Sequence, residues 1–227
     1  MQADAALAPP ALEGDAGPKW VFYKFIRLLS HPLFFVWFRL RSEGAANVPR
    51  TGPLIVAANH VSYLDPAVLG SALPRPCRFI VVAAIWKKPV LNWFFRGMRA
   101  IPVARDGSMT RGALKVALEA LAVGSVVCIF PEGGRANPDG SDPAMGGVAL
   151  LARRSGATVL PAGISGTHES MPRGIAIPRP RRIVVKFGEP LNHREQGRPA
   201  DLAFTAGLMQ RIRSLAGLAD RSARGRP

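Results

Sequence analysis

The sequence is poor in cysteine and in acidic residues. Its two cysteines, Cys77 and Cys128, lie far apart, with no other cysteine or histidine at the spacing of a metal ligand. We therefore expect no disulfide framework, no metal and no cofactor, and a reducing compartment. The 15 Asp and Glu residues face 30 Lys and Arg, which leaves a net charge of +15. Such a surface attracts nucleic acid, anionic lipid headgroups or phosphorylated small molecules, and charge alone does not choose among them.

The sequence also lacks a recognisable secretory signal. Residues 1–18 are acidic and rich in Ala, Pro and Gly, the opposite of a basic stretch that leads into an apolar run. We expect a disordered leader over residues 1–18 and a disordered basic tail over residues 220–227. The 227 residues, of which 48% are hydrophobic, suffice for a single globular domain, which we place at residues 42–219.

A long uninterrupted apolar run is missing as well, although residues 19–41 come near to one. Residues 20–40 hold eight of the 17 aromatic residues, interleaved with Lys24, Arg27, His31 and Arg39 and interrupted by Pro32. These charges recur too often for a membrane-spanning helix, which needs about 20 mostly apolar residues. The mixture favours an amphipathic helix on an anionic membrane surface. The alternative is a helix that packs on the core of its own domain, and the same two interpretations apply to residues 86–99.

From residue 48 onward, short apolar runs alternate with segments of helical character. This alternation predicts an α/β domain whose mixed, mostly parallel sheet is covered by helices on both faces. The predicted strands are residues 54–58, 78–84, 100–104, 125–130, 157–164 and 182–188. One helix is predicted to begin near residue 66, and a second to cover the later part of residues 86–98. Further helices are predicted at residues 108–123, 147–155 and 199–218.

A histidine and an aspartate directly follow the first of these strands. His60 and Asp65 are five residues apart, so they do not share one face of a helix. In a turn between strand and helix, however, the carboxylate can meet the imidazole, orient the ring and leave it free to take a proton. The alternative is that Asp65 caps a helix that has Pro66 at its first position, with His60 as an ordinary polar residue.

A second polar group follows another apolar strand. Gly133 and Gly134 allow the backbone to approach a ligand closely, and their N–H groups are candidate oxyanion donors. Arg135 offers a planar fork for phosphate or carboxylate, and Glu132 can bind a substrate hydroxyl or hold this arginine. Arg105 follows a third strand and is expected to face the same crevice.

Taken together, these segments resemble the glycerolipid acyltransferases, and most of all the 1-acylglycerol-3-phosphate O-acyltransferases. The resemblance covers about residues 34–191. It is carried by four motifs in register: Asn-His-x4-Asp at 59–65, Ile-Pro-Val-x-Arg at 101–105, Phe-Pro-Glu-Gly-x-Arg at 130–135 and Val-x-Pro at 159–161.

The resemblance implies a role for each of these residues. His60 is expected to act as the general base and Asp65 to orient it. Arg105, Glu132, Gly133 and Arg135 are expected to bind the glycerol phosphate acceptor. Asn59 and Pro161, from the first and fourth motifs, are also expected at substrate, with Pro161 on the acyl donor side.

The implied reaction moves a fatty acyl group from acyl-CoA or acyl carrier protein to 1-acylglycerol 3-phosphate, at the cytoplasmic face of the cell membrane. Glycerol 3-phosphate, a lyso-ornithine lipid or a glycolipid are the alternative acceptors. Two departures bear on the acceptor, because Gly134 replaces a usual threonine and Arg99 replaces a usual small residue.

Other classes of protein fit the sequence less well. A nucleic-acid binder should show a known module or aromatic platforms among its basic residues, and neither is found, so we expect no nucleic-acid partner. A serine hydrolase elbow is missing, since residues 163–167 fail the pattern at the last position. Cys128 lies inside an apolar strand and is expected in the core. An inactive membrane scaffold would have lost the His60–Asp65 pair. His31, His168 and His193 carry weaker functional signals.

Overall fold

The computed structural model describes residues 20–82, 89–104, 109–137, 142–175 and 177–218. In these ranges the strands are β1 (Arg41–Glu43), β2 (Leu54–Ala58), β3 (Cys77–Val82), β4 (Ile101–Val103), β5 (Val126–Ile129), β6 (Thr158–Ser165) and β7 (Val184–Phe187). The helices are α1 (Val21–Pro32), α2 (Asp65–Ala72), α3 (Pro89–Gly97), α4 (Arg111–Ala122), α5 (Gly147–Ser155), α6 (Thr167–Ser170) and α7 (Arg198–Leu215). A π-helical turn (Leu33–Trp37) continues α1, and a 3₁₀ turn (Ala45–Asn47) follows β1.

All seven strands belong to one sheet with the order β1-β7-β6-β2-β5-β3-β4. Every pairing is parallel except that of β6 with β7, which is antiparallel. The predicted α/β domain with a mixed, mostly parallel sheet is thereby confirmed. The strand β1 and the reversed direction of β7 were not predicted.

Strand β2 lies near the middle of the sheet and is buried on both faces. Its side chains alternate between two hydrophobic clusters, with Leu54, Val56 and Ala58 in one and Ile55 and Ala57 in the other. Helices α1 and α2 contribute to the first cluster, and α4, α5 and α7 contribute to the second. The continuous apolar run of β2 therefore reflects burial beneath helices on both sides of the sheet.

The N-terminal helical segment has two apolar faces. Trp20, Tyr23, Phe34 and Phe38 are buried in the core cluster that covers one face of the sheet, so the alternative of packing on the domain's own core is observed for this side. The outer side exposes a second set of large hydrophobic residues: Val21, Phe25, Leu28, Leu29, Leu33, Phe35, Val36 and Trp37. Contact of this outer side with a membrane stays a prediction.

Several predictions concern residues outside the described ranges. These are the disordered leader (1–18), the basic tail (220–227, of which no residue is described), Arg105 and residues 86–88 of the second aromatic and basic stretch. Within the described ranges, no helix has both the length and the apolar composition needed to cross a bilayer.

Candidate active site

The first and third motifs meet because the strands before them are neighbours. Strand β2 ends just before His60 and β5 ends just before Phe130, and the two strands pair in parallel. Their carboxyl ends therefore open at the same edge of the sheet, where α/β folds place their sites. The two turns are also joined directly, because the Ala136 N–H donates to the His60 carbonyl at 2.7 Å.

His60 and Asp65 form the hydrogen bond that their spacing allowed. The distance from His60 Nδ1 to Asp65 Oδ2 is 2.9 Å. With an ionised carboxylate as acceptor, Nδ1 carries the hydrogen and Nε2 keeps its lone pair. The geometry therefore provides an oriented imidazole whose Nε2 has no hydrogen-bond partner among the described residues and can accept a proton.

Asp65 holds the whole turn as well as the imidazole. Its Oδ2 also accepts hydrogen bonds from the backbone N–H groups of Val61 and Ser62, both at 2.7 Å, and the residue is fully buried. The alternative, in which the Asp65 side chain caps α2, is not observed. Asp65 is the first residue of α2, and its side chain bonds residues 60–62 instead of the N–H groups of the helix. A carboxylate at this helix N-terminus is also favoured by the helix dipole.

The His60 ring borders a large apolar cavity. It stacks on Phe130, with 4.3 Å between ring centroids, and its side chain remains 15% exposed. The cavity has a volume of about 810 Å³ and runs from the His60 and Gly133–Gly134 turns to the N-terminal helices. Its walls include residues of α1, the π-helical turn, α2, β3, α3 and the residue after α3, among them Tyr23, Ile26, Phe34, Phe79, Phe94 and Met98.

The prediction that the N–H groups of Gly133 and Gly134 both serve as oxyanion donors does not fit this turn. The Gly133 N–H already donates to the Phe130 carbonyl at 3.0 Å, so it is not free to bind a developing charge. Gly133 has a φ of +73°, a left-handed conformation that explains the need for glycine, and a Cβ there would also lie 2.5 Å from Sδ of the flexible Met145 side chain. The Gly134 N–H has no hydrogen-bond partner in the described part of the chain, and it is the remaining candidate donor.

Glu132 lies beside the His–Asp pair and is half-buried. Burial raises the pKa of Glu132 from its ordinary 4.5 to about 8, and the charge of Asp65 adds to the rise. Backbone hydrogen bonds at Glu132 and His60 and the charge of Arg213 oppose it. Glu132 Oε2 is buried and has no partner among the described residues. At neutral pH this carboxyl group is therefore mostly protonated and can donate a hydrogen bond.

One predicted arrangement, in which Glu132 holds Arg135, is not observed. Its guanidinium carbon lies 3.7 Å from the centre of the Tyr63 ring. Arg135 lines a smaller cavity of about 320 Å³ together with Glu132, Gly134 and Asp142. Arg105, the second predicted phosphate ligand, lies outside the described residues.

Asn59 and Pro161 are placed behind the site, and neither lines one of these two cavities. The Asn59 amide bonds the backbone of Ile164 twice, at 2.9 Å to its carbonyl and at 2.7 Å from its N–H. The amide nitrogen and oxygen of Asn59, with which it could have bound a substrate, thus connect the turn to β6. Pro161 lies within β6, opposite Ala57 of β2.

Two other sequence features are placed away from the reacting groups. Arg99 is buried and adopts a φ of +56°, with its guanidinium 5.1 Å from the Trp20 ring, so it contacts the N-terminal segment. Cys128 is fully buried in β5, and burial raises the pKa of its thiol well above the ordinary value, which agrees with the predicted core position. No cluster of three or more His, Cys, Asp or Glu side chains suited to a metal ion occurs in the described ranges.

Sequence reasoning missed three side chains at this site. Tyr63 contacts Arg135, Phe130 supports the His60 ring, and Met145 closes over Gly133. Tyr63 lies inside the first motif and Phe130 inside the third. An aromatic residue within a motif was therefore the signal that could have identified them. Met145 had none, because its place depends on how residues 142–146 return to the turn.

Comparison with known proteins gives a consistent assignment. A family model described as acyltransferase matches residues 39–165. The 1-acyl-sn-glycerol-3-phosphate acyltransferase LPAT1 of Arabidopsis thaliana, a chloroplastic protein, is 30% identical over 67% of this chain and 44% of its own length. The enzyme of the same substrate name from Bacillus subtilis is 25% identical over 74% of this chain and 84% of its own length. This chain thus spans less than half of the plant relative.

A solved structure agrees over most of the chain. The 1-acyl-sn-glycerophosphate acyltransferase PlsC from Thermotoga maritima superposes with a TM-score of 0.71 and 26% sequence identity, covering 92% of this chain and 83% of that one. The matched family region contains the His60–Asp65 pair and the glycine turn described above. On these grounds, the chain belongs to the acyltransferase family.

Proposed function

We propose that the protein transfers an acyl group from an acyl thioester to the free hydroxyl of 1-acylglycerol 3-phosphate, which yields phosphatidate. The observation that carries this proposal is the His60–Asp65 hydrogen bond of 2.9 Å at the border of an apolar cavity of about 810 Å³. A basic nitrogen beside a space of apolar character suits a reaction between a hydroxyl and a long-chain thioester. The substrate named for the relatives supports the same choice.

In the proposed step, the acceptor hydroxyl attacks the thioester carbonyl while His60 Nε2 takes the hydroxyl proton. The new C–O bond gives a tetrahedral oxyanion, and the Gly134 N–H is the donor that we propose to stabilise it. Collapse breaks the C–S bond, and the imidazolium returns its proton to the departing thiolate. Asp65 stabilises the imidazolium through its hydrogen bond to Nδ1. The step requires no protein nucleophile.

The acceptor is proposed to lie on the side of the third motif. A guanidinium such as that of Arg135 can bind two phosphate oxygens at once, and Arg105 is proposed to supply the second positive charge. The protonated carboxyl of Glu132 is a further donor to an acceptor oxygen. Replacement of Arg135 or Arg105 by lysine is expected to raise KM for lysophosphatidate more than KM for the acyl donor.

The acyl chain of the donor is proposed to occupy the large cavity. Its wall begins at the reacting histidine and ends among Phe94, Met98 and Tyr23, next to the N-terminal helices. Both acyl-CoA and acyl carrier protein present the same thioester, so either donor satisfies this geometry.

One assay tests the proposed reaction directly. Purified protein receives a radiolabelled acyl thioester, as acyl-CoA or as acyl carrier protein, with lysophosphatidate, glycerol 3-phosphate, lyso-ornithine lipid or monoacylglycerol. We expect labelled phosphatidate as the main product. Equal acylation of monoacylglycerol and lysophosphatidate would rule out the phosphate-dependent acceptor and bring the alternative acceptors forward.

We further propose that the protein works at the cytoplasmic face of the membrane, held by the outer side of α1 and the π-helical turn. This side exposes large apolar residues such as Leu28 (73%) and Val36 (76%). Lys24 and Arg39, which are also exposed, can meet anionic headgroups. Trp93 of α3 is 66% exposed and lies against Phe22 of α1, so α3 extends the same surface.

Point substitutions test this contact better than removal of the segment, because deletion would also remove the core residues Trp20 and Tyr23. Leu28→Asn combined with Val36→Asn should reduce co-sedimentation with anionic liposomes without unfolding the domain. Leu202→Asn is the matched control, since Leu202 is 58% exposed on α7. Binding should also weaken as salt rises. Unchanged binding of the double variant at every salt concentration would refute this membrane contact.

A further inference from the structure

Tyr63 lies in the turn between the two proposed catalytic residues and contacts the third motif. Its side chain is 62% exposed, although a ring that packs in the core would be buried. The Arg135 guanidinium carbon lies over it, 3.7 Å from the ring centre, well within the roughly 6 Å range of cation–π attraction. An exposed ring at this position is therefore used as a platform for an arginine.

The backbone of Arg135 is fixed, which leaves its long side chain as the adjustable part. The Arg135 carbonyl accepts a hydrogen bond from Arg173 at 2.7 Å, and the next residue, Ala136, donates to the His60 carbonyl at 2.7 Å. Within the described residues, no carboxylate forms an ion pair with the Arg135 guanidinium. The Tyr63 ring is thus the contact that selects one position for this guanidinium.

We propose that Tyr63 is a positioning residue that directs Arg135 toward the acceptor phosphate and thereby sets the preference for phosphate-bearing acceptors. This inference rests on the proposed function. Stacking uses the face of the guanidinium and leaves the N–H donors at its edge free for phosphate oxygens. It also reduces the conformational freedom that a surface arginine would otherwise lose when phosphate binds.

Two Tyr63 variants separate the ring from its hydroxyl. Tyr63→Leu removes the aromatic face, and Tyr63→Phe keeps it. For Tyr63→Leu we expect KM for lysophosphatidate to rise about two- to fivefold, as the strength of a cation–π contact at an exposed ring implies. KM for the acyl donor, kcat at saturation and the pH profile of kcat should remain close to wild type. Tyr63→Phe should behave as wild type.

A double-mutant cycle tests whether Tyr63 acts through Arg135. In the Arg135→Met background, Tyr63→Leu should change KM for lysophosphatidate by less than about twofold, because the contact is already absent. Arg211→Met is the matched control for removal of an arginine, since Arg211 is exposed on α7. It should leave both KM values unchanged.

Four results would overturn the inference. Equal loss in Tyr63→Phe and Tyr63→Leu would assign the effect to the hydroxyl. A fall in kcat for every acceptor would assign Tyr63 to the turn that holds His60. Additive effects of the two substitutions would show that Tyr63 and Arg135 act separately. If Arg135→Met itself leaves KM for lysophosphatidate unchanged, the proposed acceptor site fails, and the role of Tyr63 fails with it. A failure confined to the Tyr63 variants leaves the acceptor site standing.

Discussion

The molecule contains two histidine–aspartate pairs that look alike at close range. His60 lies 2.9 Å from Asp65 and stacks on Phe130 at 4.3 Å. His193 lies 2.7 Å from Asp201 and stacks on Phe204 at 4.4 Å. Each imidazole therefore has a carboxylate to orient it and an aromatic ring to support it.

The surroundings of the two pairs differ. His60 bonds its carboxylate through Nδ1, and its ring borders the large cavity. His193 bonds through Nε2, is 5% exposed, and lines neither described cavity. Asp201 also pairs with Arg153 at 3.3 Å, which joins α7 to α5. An imidazole that a carboxylate orients can therefore have a catalytic or a purely structural role. Access of substrate to the ring distinguishes the His60 pair from the His193 pair.

The largest expected effect comes from removing each histidine in turn. His60→Ala should lower the acyl transfer rate by roughly 10²–10⁴-fold, because a positioned general base is lost, while the melting temperature stays near wild type. His193→Ala should keep the activity and lower stability by about 1–2 kcal/mol. Initial rates and thermal melts of both variants provide the check. A His60→Ala variant that melts normally and keeps more than a tenth of its activity would falsify the general-base role.

The second prediction concerns the two aspartates. Asp65→Asn should reduce turnover roughly 10- to 1,000-fold, since the imidazolium loses its counter-charge. It should also lower stability by about 1–3 kcal/mol, because two buried backbone N–H groups lose a charged acceptor. Asp201→Asn should reduce stability alone. Turnover and urea unfolding measured on the same preparations separate these effects, and equal turnover in the two variants would remove the distinction between the pairs.

The third prediction uses the pH dependence of stability. The folded pKa of Glu132 is raised to about 8, so its stabilising contribution is complete below pH 4.5 and is lost as the pH rises to about 8. The wild-type free energy of unfolding should fall over this window by up to about 1.4 kcal/mol per pH unit, and Glu132→Gln should abolish that slope.

At the other pair, hydrogen bonds from His193 and Arg153 lower the pKa of Asp201 below its ordinary 3.8. This contribution is present above that value and disappears as the pH falls through the folded pKa. Asp201→Asn should therefore change only the acid side of the same stability curve. Urea titrations from pH 3 to 9 on the three proteins decide the matter, and a Glu132→Gln curve parallel to wild type would contradict the assignment.

The smallest expected effect concerns the supporting rings. Phe130→Leu should slow acyl transfer a few-fold, since the His60 ring loses its stacking partner but keeps the Asp65 bond. Phe204→Leu should leave the rate unchanged and cost about 1 kcal/mol of stability. Steady-state kinetics with matched melts measure both. A rate loss in Phe204→Leu as large as that in Phe130→Leu would connect the second pair to the reaction.

Local pattern was sufficient for much of the fold. The predicted strand 54–58 and helix 147–155 coincide with β2 and α5, because a buried strand and an amphipathic helix leave distinct hydrophobic periods. The short exposed strand β1 left no such period. The direction of β7 was equally hidden, since a buried run reads the same for parallel and antiparallel pairing.

The candidate site, like the fold, was predictable only in part from the sequence. The Asn-His-x4-Asp spacing allowed the His60–Asp65 contact, and the structure contains it. The use of the Gly133 N–H inside its own turn and of the Asn59 amide on β6 was not predictable. Both depend on which backbone groups the folded chain places within hydrogen-bonding distance.

The sequence by itself determined the α/β alternation, the polar residues at strand ends and the excess of positive charge, because these are properties of short segments and of composition. Tertiary structure alone decided which histidine borders a cavity, that Glu132 is half-buried beside Asp65, and that Arg135 rests on Tyr63. The physical reason is that burial, pKa and stacking depend on neighbours brought together by sheet order. His60 and Ala136 are 76 residues apart in sequence and joined by one hydrogen bond of 2.7 Å.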